Sequence, residues 1–258
     1  MNDPVQGLKK LLDDKVRLYN QPSFISGDPV QVPHRFSKMQ DIEIAGLFAA
    51  VLAWGNRTSI INSCNKLVAW MDNAPHDFIL NHKDTDLKKM LGFAHRTFNA
   101  TDLLYFIHFL QYHYSAHNSL EDAFVPAKTY KQENVEQALI HFHNYFFSIE
   151  HPERTRKHIS TPERKSACKR LNMYLRWMVR KDKAGVDFGI WKKIHPHQLV
   201  CPLDVHVARV AFRLDLISNE KSDWKNAVEL TGHLRELNPK DPAVYDYALF
   251  GLGMAERF

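Results

Sequence analysis

One carboxylate stands between a proline and an amphipathic segment in the stretch Cys201-Pro202-Leu203-Asp204-Val205-His206-Val207-Ala208-Arg209-Val210. From Val207 to Leu214, apolar residues recur at intervals of three, four and seven positions, the period of a helix with one buried face. Because Pro202 precedes this helix, Asp204 is predicted at its N-terminal end, where the side chain can face a groove. The other interpretation is an ordinary N-cap, since aspartate favours that position.

The same run resembles the Val-Asp-Thr-His-Val-x-Arg-Val stretch of the helix-hairpin-helix DNA glycosylases, the endonuclease III superfamily. Upstream, Lys169-Arg170-Leu171-Asn172-Met173-Tyr174-Leu175 is similar to the Lys-Thr-Ala-Asn-Val-Val-Leu that begins the helix with the catalytic lysine of those enzymes. A third segment, Ile44 to Arg57, is similar to their early helix, which ends near the extruded base. Over most of its length the chain resembles DUF2400, a bacterial family of unknown function within that superfamily.

The resemblance implies an all-α fold of two helical lobes with a cleft between them. One lobe would comprise residues 1–38 and 200–258, the other residues 39–199, and together they would form a single unit. Lys169 and Asp204 would face each other from opposite sides as the catalytic pair. Trp54, Asn56 and Arg57 would line the base pocket, although Trp54 also fits a core position in this aromatic-rich chain.

The chemistry implied is excision of a damaged, for example oxidised, base from duplex DNA, with or without lyase cleavage at the abasic site. A carboxylate stabilises the positive charge that develops at the sugar carbon, which is the role expected of Asp204. A neutral amine can displace the base by attacking that carbon, which is the role expected of Lys169. The alternative is a non-catalytic nucleic-acid-binding protein with the same fold.

Two features of the superfamily are missing from this sequence. Its hairpin normally reads Leu-Pro-Gly-Val-Gly, whereas the corresponding stretch, Ile159 to Cys168, contains no glycine. Side chains such as Arg164 and Lys165 would therefore have to replace the backbone contacts to phosphate. The second missing feature is the group of four clustered cysteines that holds the iron–sulfur cluster of endonuclease III. This chain has three cysteines and none follows Cys201, so we predict no such cluster. We also predict no other cofactor and no metal.

Basic residues are concentrated between Arg154 and Lys193, where thirteen bases stand against three acids. A single helix is predicted from Thr161 to Val179, and its period separates an apolar face from Lys165, Lys169, Asn172, Arg176 and Arg180. Such a ridge is typical of a nucleic-acid surface. The residues predicted to contact DNA are Arg164, Lys165, Arg170, Arg176 and Arg180. A solvated helix face is the other interpretation.

A group of histidines suggests a different kind of site, a metal centre. His195 and His197 shortly precede Asp204 and His206, and their nitrogen and oxygen atoms would suit a metal ion. The spacing matches no metal motif, and the glycosylase pattern itself has a histidine at the position of His206. A metal-dependent hydrolase is therefore the third hypothesis.

Composition argues against several other classes of protein. Three cysteines without close spacing argue against a disulfide framework and for a reducing compartment. The most apolar stretch, Ile42 to Trp54, is shorter than the roughly 20 residues of a membrane span. Residues 1–20 lack the continuous apolar core of a signal peptide. We therefore expect a monomeric, cytoplasmic bacterial protein without a membrane partner, associated with the nucleoid when bound to DNA.

Overall fold

The computed structural model describes residues 4–254 and is mostly helical, which confirms the all-α prediction. Its α-helices are α1 (Pro4–Tyr19), α2 (Pro22–Ile25), α3 (Met39–Val51), α4 (Arg57–Trp70), α5 (Pro75–Asn81), α6 (Asp84–Leu87), α7 (Ala100–Tyr114), α8 (Glu121–Phe124), α9 (Glu136–Phe146), α10 (Lys169–Val179), α11 (Val205–Arg213), α12 (Trp224–Leu237) and α13 (Asp246–Met254). Short 3-10 helices lie at Pro29–Gln31, Pro33–Arg35, Lys88–Met90, Glu153–His158, Pro162–Arg164, Pro196–Gln198 and Pro242–Tyr245. Two strands, β1 (Ala94–His95) and β2 (Phe98–Asn99), pair antiparallel.

By their internal contacts, the described residues fall into two compact units. The terminal unit comprises residues 4–24, 130–137 and 161–254, and the middle unit comprises residues 25–129 and 138–160. This division differs from the predicted lobe boundaries. Residues 161–199 group with the terminal segments, and within that unit Arg176 and Arg180 pair with acids that come late in the chain. Residues 25–38 group with the middle because their two 3-10 helices contact α3. Residues 1–3 and 255–258 of the predicted lobes lie outside the described range.

In the terminal unit, α13 contacts both α1 and α11. Gly251 permits the close approach to α1, because a Cβ atom there would collide with the Tyr19 ring. The predicted buried face of α11 is confirmed, since Val207, Val210 and Ala211 are all buried. Packing of the apolar face of α11 within the terminal unit therefore holds this helix, and the residue that precedes it, in place.

Helix α10 is buried on every side, since each residue from Leu171 to Val179 is buried. It is also shorter than predicted. The helix expected to open at Thr161 begins instead at Lys169, because Lys165 (φ 60°) and Cys168 (φ 49°) adopt the left-handed conformation. A left-handed residue cannot continue a right-handed helix. Residues 164–168, which precede Lys169, therefore form a turn, called here the turn before α10.

The middle unit has an aromatic core between α7 and α9. The ring of Phe146 lies 4.8 Å from that of Phe106 and 4.4 Å from that of Phe109. A buried carboxylate, Glu43 of α3, accepts hydrogen bonds from the Tyr114 hydroxyl at 2.9 Å and the Leu120 amide at 3.1 Å. Within the described range, no helix has both the length and the apolar character needed to span a membrane.

His113 of α7 makes the stability of the middle unit depend on pH. Its side chain is fully buried, with Nε2 2.9 Å from the Ser119 carbonyl oxygen. Burial lowers the pKa of His113 to about 4, the Ser119 carbonyl opposing this shift and His117 adding to it. The unfolded chain, with an ordinary pKa of 6.5, therefore binds the proton first. The stabilisation is complete above that pH and is lost as the pH falls towards about 4.

We expect His113→Gln to flatten the pH dependence of the free energy of unfolding. Between pH 7 and 5, the contribution of His113 to the free energy of unfolding of the wild-type protein should fall by about 2 kcal/mol. The variant has no histidine at this position, so its free energy of unfolding should not show this fall. Urea unfolding at both pH values measures the difference. His108→Gln, at an exposed position of the same helix, is the control. An unchanged pH dependence in His113→Gln would contradict the prediction.

Candidate active site

The structure brings Lys169 and Asp204 together in the terminal unit. Lys169 Nζ lies 3.6 Å from Asp204 Oδ2, and each side chain is 28% exposed. Lys169 is the first residue of α10, and Asp204 immediately precedes α11. Two residues far apart in sequence therefore meet at the N-terminal ends of two helices, where solvent reaches both. They belong to one unit, whereas the prediction assigned them to two lobes.

Asp204 is an N-cap as well as the partner of Lys169. Its Oδ1 accepts hydrogen bonds from the backbone amides of His206 at 2.9 Å and Val207 at 3.0 Å. The other oxygen, Oδ2, faces the amine. The two interpretations made from the sequence are therefore compatible. Capping through one oxygen fixes the orientation in which the other is presented.

A second carboxyl group, Asp246, influences the same pair from the buried start of α13. Burial raises the pKa of Asp246 above its ordinary value, Arg176 and Lys169 act to lower it, and Asp204 adds to the rise. Arg176 donates a hydrogen bond to Asp246. Near this acid, Cys201 is fully buried, and burial with the charge of Asp246 raises the pKa of its thiol well above the ordinary value. Asp246 is therefore a buried acid close enough to feel the charges of both Lys169 and Asp204, and Cys201 is a neutral core residue.

The turn before α10 is bonded to the neighbouring segments. Ser166 forms a backbone bridge with Asp223, and the Lys165 carbonyl accepts from the Trp224 amide at 3.1 Å. Ser222 Oγ in turn donates to the carbonyl of Leu203 at 2.9 Å. These bonds join the turn, the start of α12 and the approach to Asp204. Arg164 and Lys165 of the turn are exposed, as the predicted phosphate contacts require.

Arg176 and Arg180 correct the predicted DNA surface. Their side chains are 5% and 1% exposed, and ion pairs hold both. The acids that pair with one or both of them are Asp182, Asp187, Asp241 and Asp246. A buried, paired guanidinium cannot contact phosphate, so the prediction is wrong for these two residues. Arg170 is half-buried, and burial lowers its pKa.

Sequence reasoning missed the buried acids of this site. Asp246 carries a signal of its own, since it is the one charged residue in the apolar helix Asp246–Met254. Asp187 lies in an irregular stretch and has no comparable local signal. In the structure, the ion pairs with Arg176 and Arg180 show that these two acids belong to the buried charge network.

The predicted base-pocket residues lie in the middle unit, where α4 begins. Asn56 caps that helix by accepting from the Ser59 amide at 3.2 Å, and Arg57 is exposed. Trp54 is half-buried, with the Arg96 guanidinium 4.7 Å from its ring centroid. One face of the indole is therefore covered by a cation. The assignment of these residues to a base pocket stays a prediction.

The competing histidine constellation is not assembled in the described residues. The rings of His195 and His197 stack with centroids 5.7 Å apart, and His206 is exposed on α11. Between residues 4 and 254, no three side chains of histidine, cysteine, aspartate or glutamate converge as a metal site.

Comparison with known proteins gives one result. Residues 28–255 match the profile of a family described as "Protein of unknown function (DUF2400)". No curated protein and no solved structure matches the chain. The family match extends over most of the chain and includes Lys169, Asp204 and Asp246.

Proposed function

We propose that this chain, which belongs to the DUF2400 family, is a DNA glycosylase with lyase activity that works through Lys169 and Asp204. The proposal includes the two-lobed arrangement of the helix-hairpin-helix glycosylases and damaged duplex DNA as the substrate. The observation that carries it is the meeting of an amine and a carboxylate, 3.6 Å apart and both open to solvent. The sequence resemblance supplies the reaction class, and the pair supplies the two groups that this reaction needs.

The amine of Lys169 must lose a proton before it can attack a sugar carbon. Asp204 Oδ2 is positioned to accept this proton and to pass it on to the departing base. Attack on C1′ forms a carbon–nitrogen bond while the glycosidic bond breaks, and the base leaves with the bonding pair and takes up that proton. The Asp204 carboxylate, charged again, stabilises the positive charge on the sugar in the transition state.

Strand cleavage follows from the covalent intermediate. The sugar ring opens, its ring oxygen takes up a proton, and a Schiff base forms between C1′ and Lys169. Loss of a proton from C2′ then expels the 3′-phosphate, and water releases the lysine. A carboxylate can accept and return protons in these steps.

Both groups are held on a rigid support, which such a site requires. Lys169 opens a helix that is buried along its remaining turns, and Asp204 is fixed by two backbone amides. The exposed Arg164 and Lys165 lie in the adjoining turn, where they can contact phosphate.

Borohydride trapping tests the proposal directly. Wild-type protein is incubated with labelled duplexes that contain an abasic site or one of a panel of damaged bases, and borohydride is then added. We expect a covalent protein–DNA adduct on a denaturing gel, together with strand cleavage in the absence of borohydride. If every duplex is bound but none gives an adduct or releases a base, the non-catalytic nucleic-acid-binding hypothesis replaces this one.

A further inference from the structure

The exposed side of α11 carries three basic side chains and no acidic one. This helix, Val205–Arg213, buries four of its nine residues in the terminal unit. The five that remain are exposed, and they are Val205, His206, Arg209, Phe212 and Arg213. We call these five residues the α11 stripe.

The residues of the stripe share one face of the helix. Starting from Val205, they follow at one, four, seven and eight positions, which is the spacing of neighbours on a helical surface. At about 1.5 Å per residue, His206 and Arg213 lie roughly 10 Å apart along the axis. Val205 is 60% exposed and Phe212 41% exposed. The stripe therefore combines positive charge with apolar surface over about two turns.

The stripe begins at the candidate active site. Asp204, the partner of Lys169, caps this helix, so the first residues of the stripe follow the carboxylate directly. The hydrogen bond from Ser222 to Leu203 brings the start of α12 to the same end of α11. Lys221 and Lys225, which flank that start, are exposed. A ligand on the stripe would thus extend from the reacting groups across a basic surface.

We propose that the α11 stripe is the docking surface for the phosphate backbone of the DNA strand whose nucleotide reaches Lys169. The inference rests on the proposed function and adds a binding surface to it. Charge complementarity identifies the occupant, because two exposed arginines, with no acid among the exposed residues of the helix, suit a polyanion. Arginine forks bind phosphate oxygens in a bidentate manner. The apolar members of the stripe, Val205 and Phe212, can contact deoxyribose, which a free phosphate ion lacks.

The test is the salt dependence of DNA binding by the full-length protein. In Arg209→Gln/Arg213→Gln, glutamine retains helix propensity while two charges are lost. We expect the slope of log Kd against log salt concentration to fall by about two relative to wild type. The dissociation constant for a labelled abasic duplex should rise at least tenfold. Lys10→Gln/Arg17→Gln removes two charges from exposed positions of α1 and should leave the slope unchanged.

The outcomes separate the docking surface from the proposed catalysis. An unchanged slope in the α11 variant, or an equal fall in the α1 control, overturns the docking surface even if wild-type protein forms the trapped adduct. A reduced slope specific to the α11 variant supports it even if no adduct forms, in which case only the catalytic proposal fails. Thermal unfolding checks that both variants retain the wild-type fold.

Discussion

Replacing Lys169 by alanine is expected to abolish both the borohydride-trapped adduct and strand cleavage at an abasic site. The variant has no amine at the position from which the covalent bond would form. The fold should be unaffected, because the side chain is partly exposed and contributes little packing. Lys10→Ala is the matched control, since it removes an exposed lysine of α1 that has no assigned role in the site. Full adduct formation by Lys169→Ala would place the nucleophile elsewhere.

Asp204→Asn separates the charge of this residue from its capping role. The amide oxygen can still accept from the backbone amides of His206 and Val207, so the free energy of unfolding should change by less than about 1 kcal/mol. The negative charge is lost, and base release should slow by a factor on the order of 10² to 10³. Single-turnover kinetics and urea unfolding measure the two effects. A variant as fast as wild type would remove Asp204 from the mechanism.

Arg180→Ala is expected to give the largest loss of stability. The side chain is almost fully buried and pairs with Asp187, Asp182 and Asp241. Burial alone would lower the pKa of Arg180, but Asp187 and Asp241 raise it above the ordinary value, so the group is charged in the folded protein. Removing it leaves the buried carboxylate of Asp187 with Arg176 as its one remaining ion-pair partner in the described residues, at a cost of about 3–5 kcal/mol.

Urea unfolding of three variants tests this expectation. Arg164→Ala removes an exposed arginine and should change the free energy of unfolding by less than about 0.5 kcal/mol. Arg180→Lys keeps the charge but loses the planar fork, so its loss should lie between the other two. If Arg180→Ala and Arg164→Ala were equally stable, the buried ion pairs would contribute nothing.

The sequence was informative where the controlling interactions are local. The apolar period after Asp204 predicted both α11 and the capping carboxylate at its start, because spacing and N-cap preference act within a few residues. The meeting of Lys169 and Asp204 followed from the resemblance rather than from any local pattern. No residue next to Lys169 or Asp204 in the sequence indicates that these two side chains lie close together.

The basic ridge was mispredicted because periodicity shows neither burial nor ion pairs. It placed Arg176 and Arg180 opposite the apolar face. Two of their partners, Asp182 and Asp187, lie within the same basic segment, where they were only counted as charges. The counter-ions of the two arginines also include Asp241 and Asp246, which come more than sixty positions later. No window around α10 contains those acids. The excess of basic residues between Arg154 and Lys193 therefore did not show which of them are exposed on the surface.

Lys165 and Cys168 show how the turn before α10 keeps its shape without glycine. A left-handed conformation at a residue with a side chain costs roughly 1–2 kcal/mol, and here the surrounding bonds to Trp224 and Asp223 offset it. The shape is thus supported by residues about sixty positions away as well as by bonds within the turn, such as that from the Cys168 amide to Ser166 Oγ. A search for turns by a glycine signature alone would therefore not find this one.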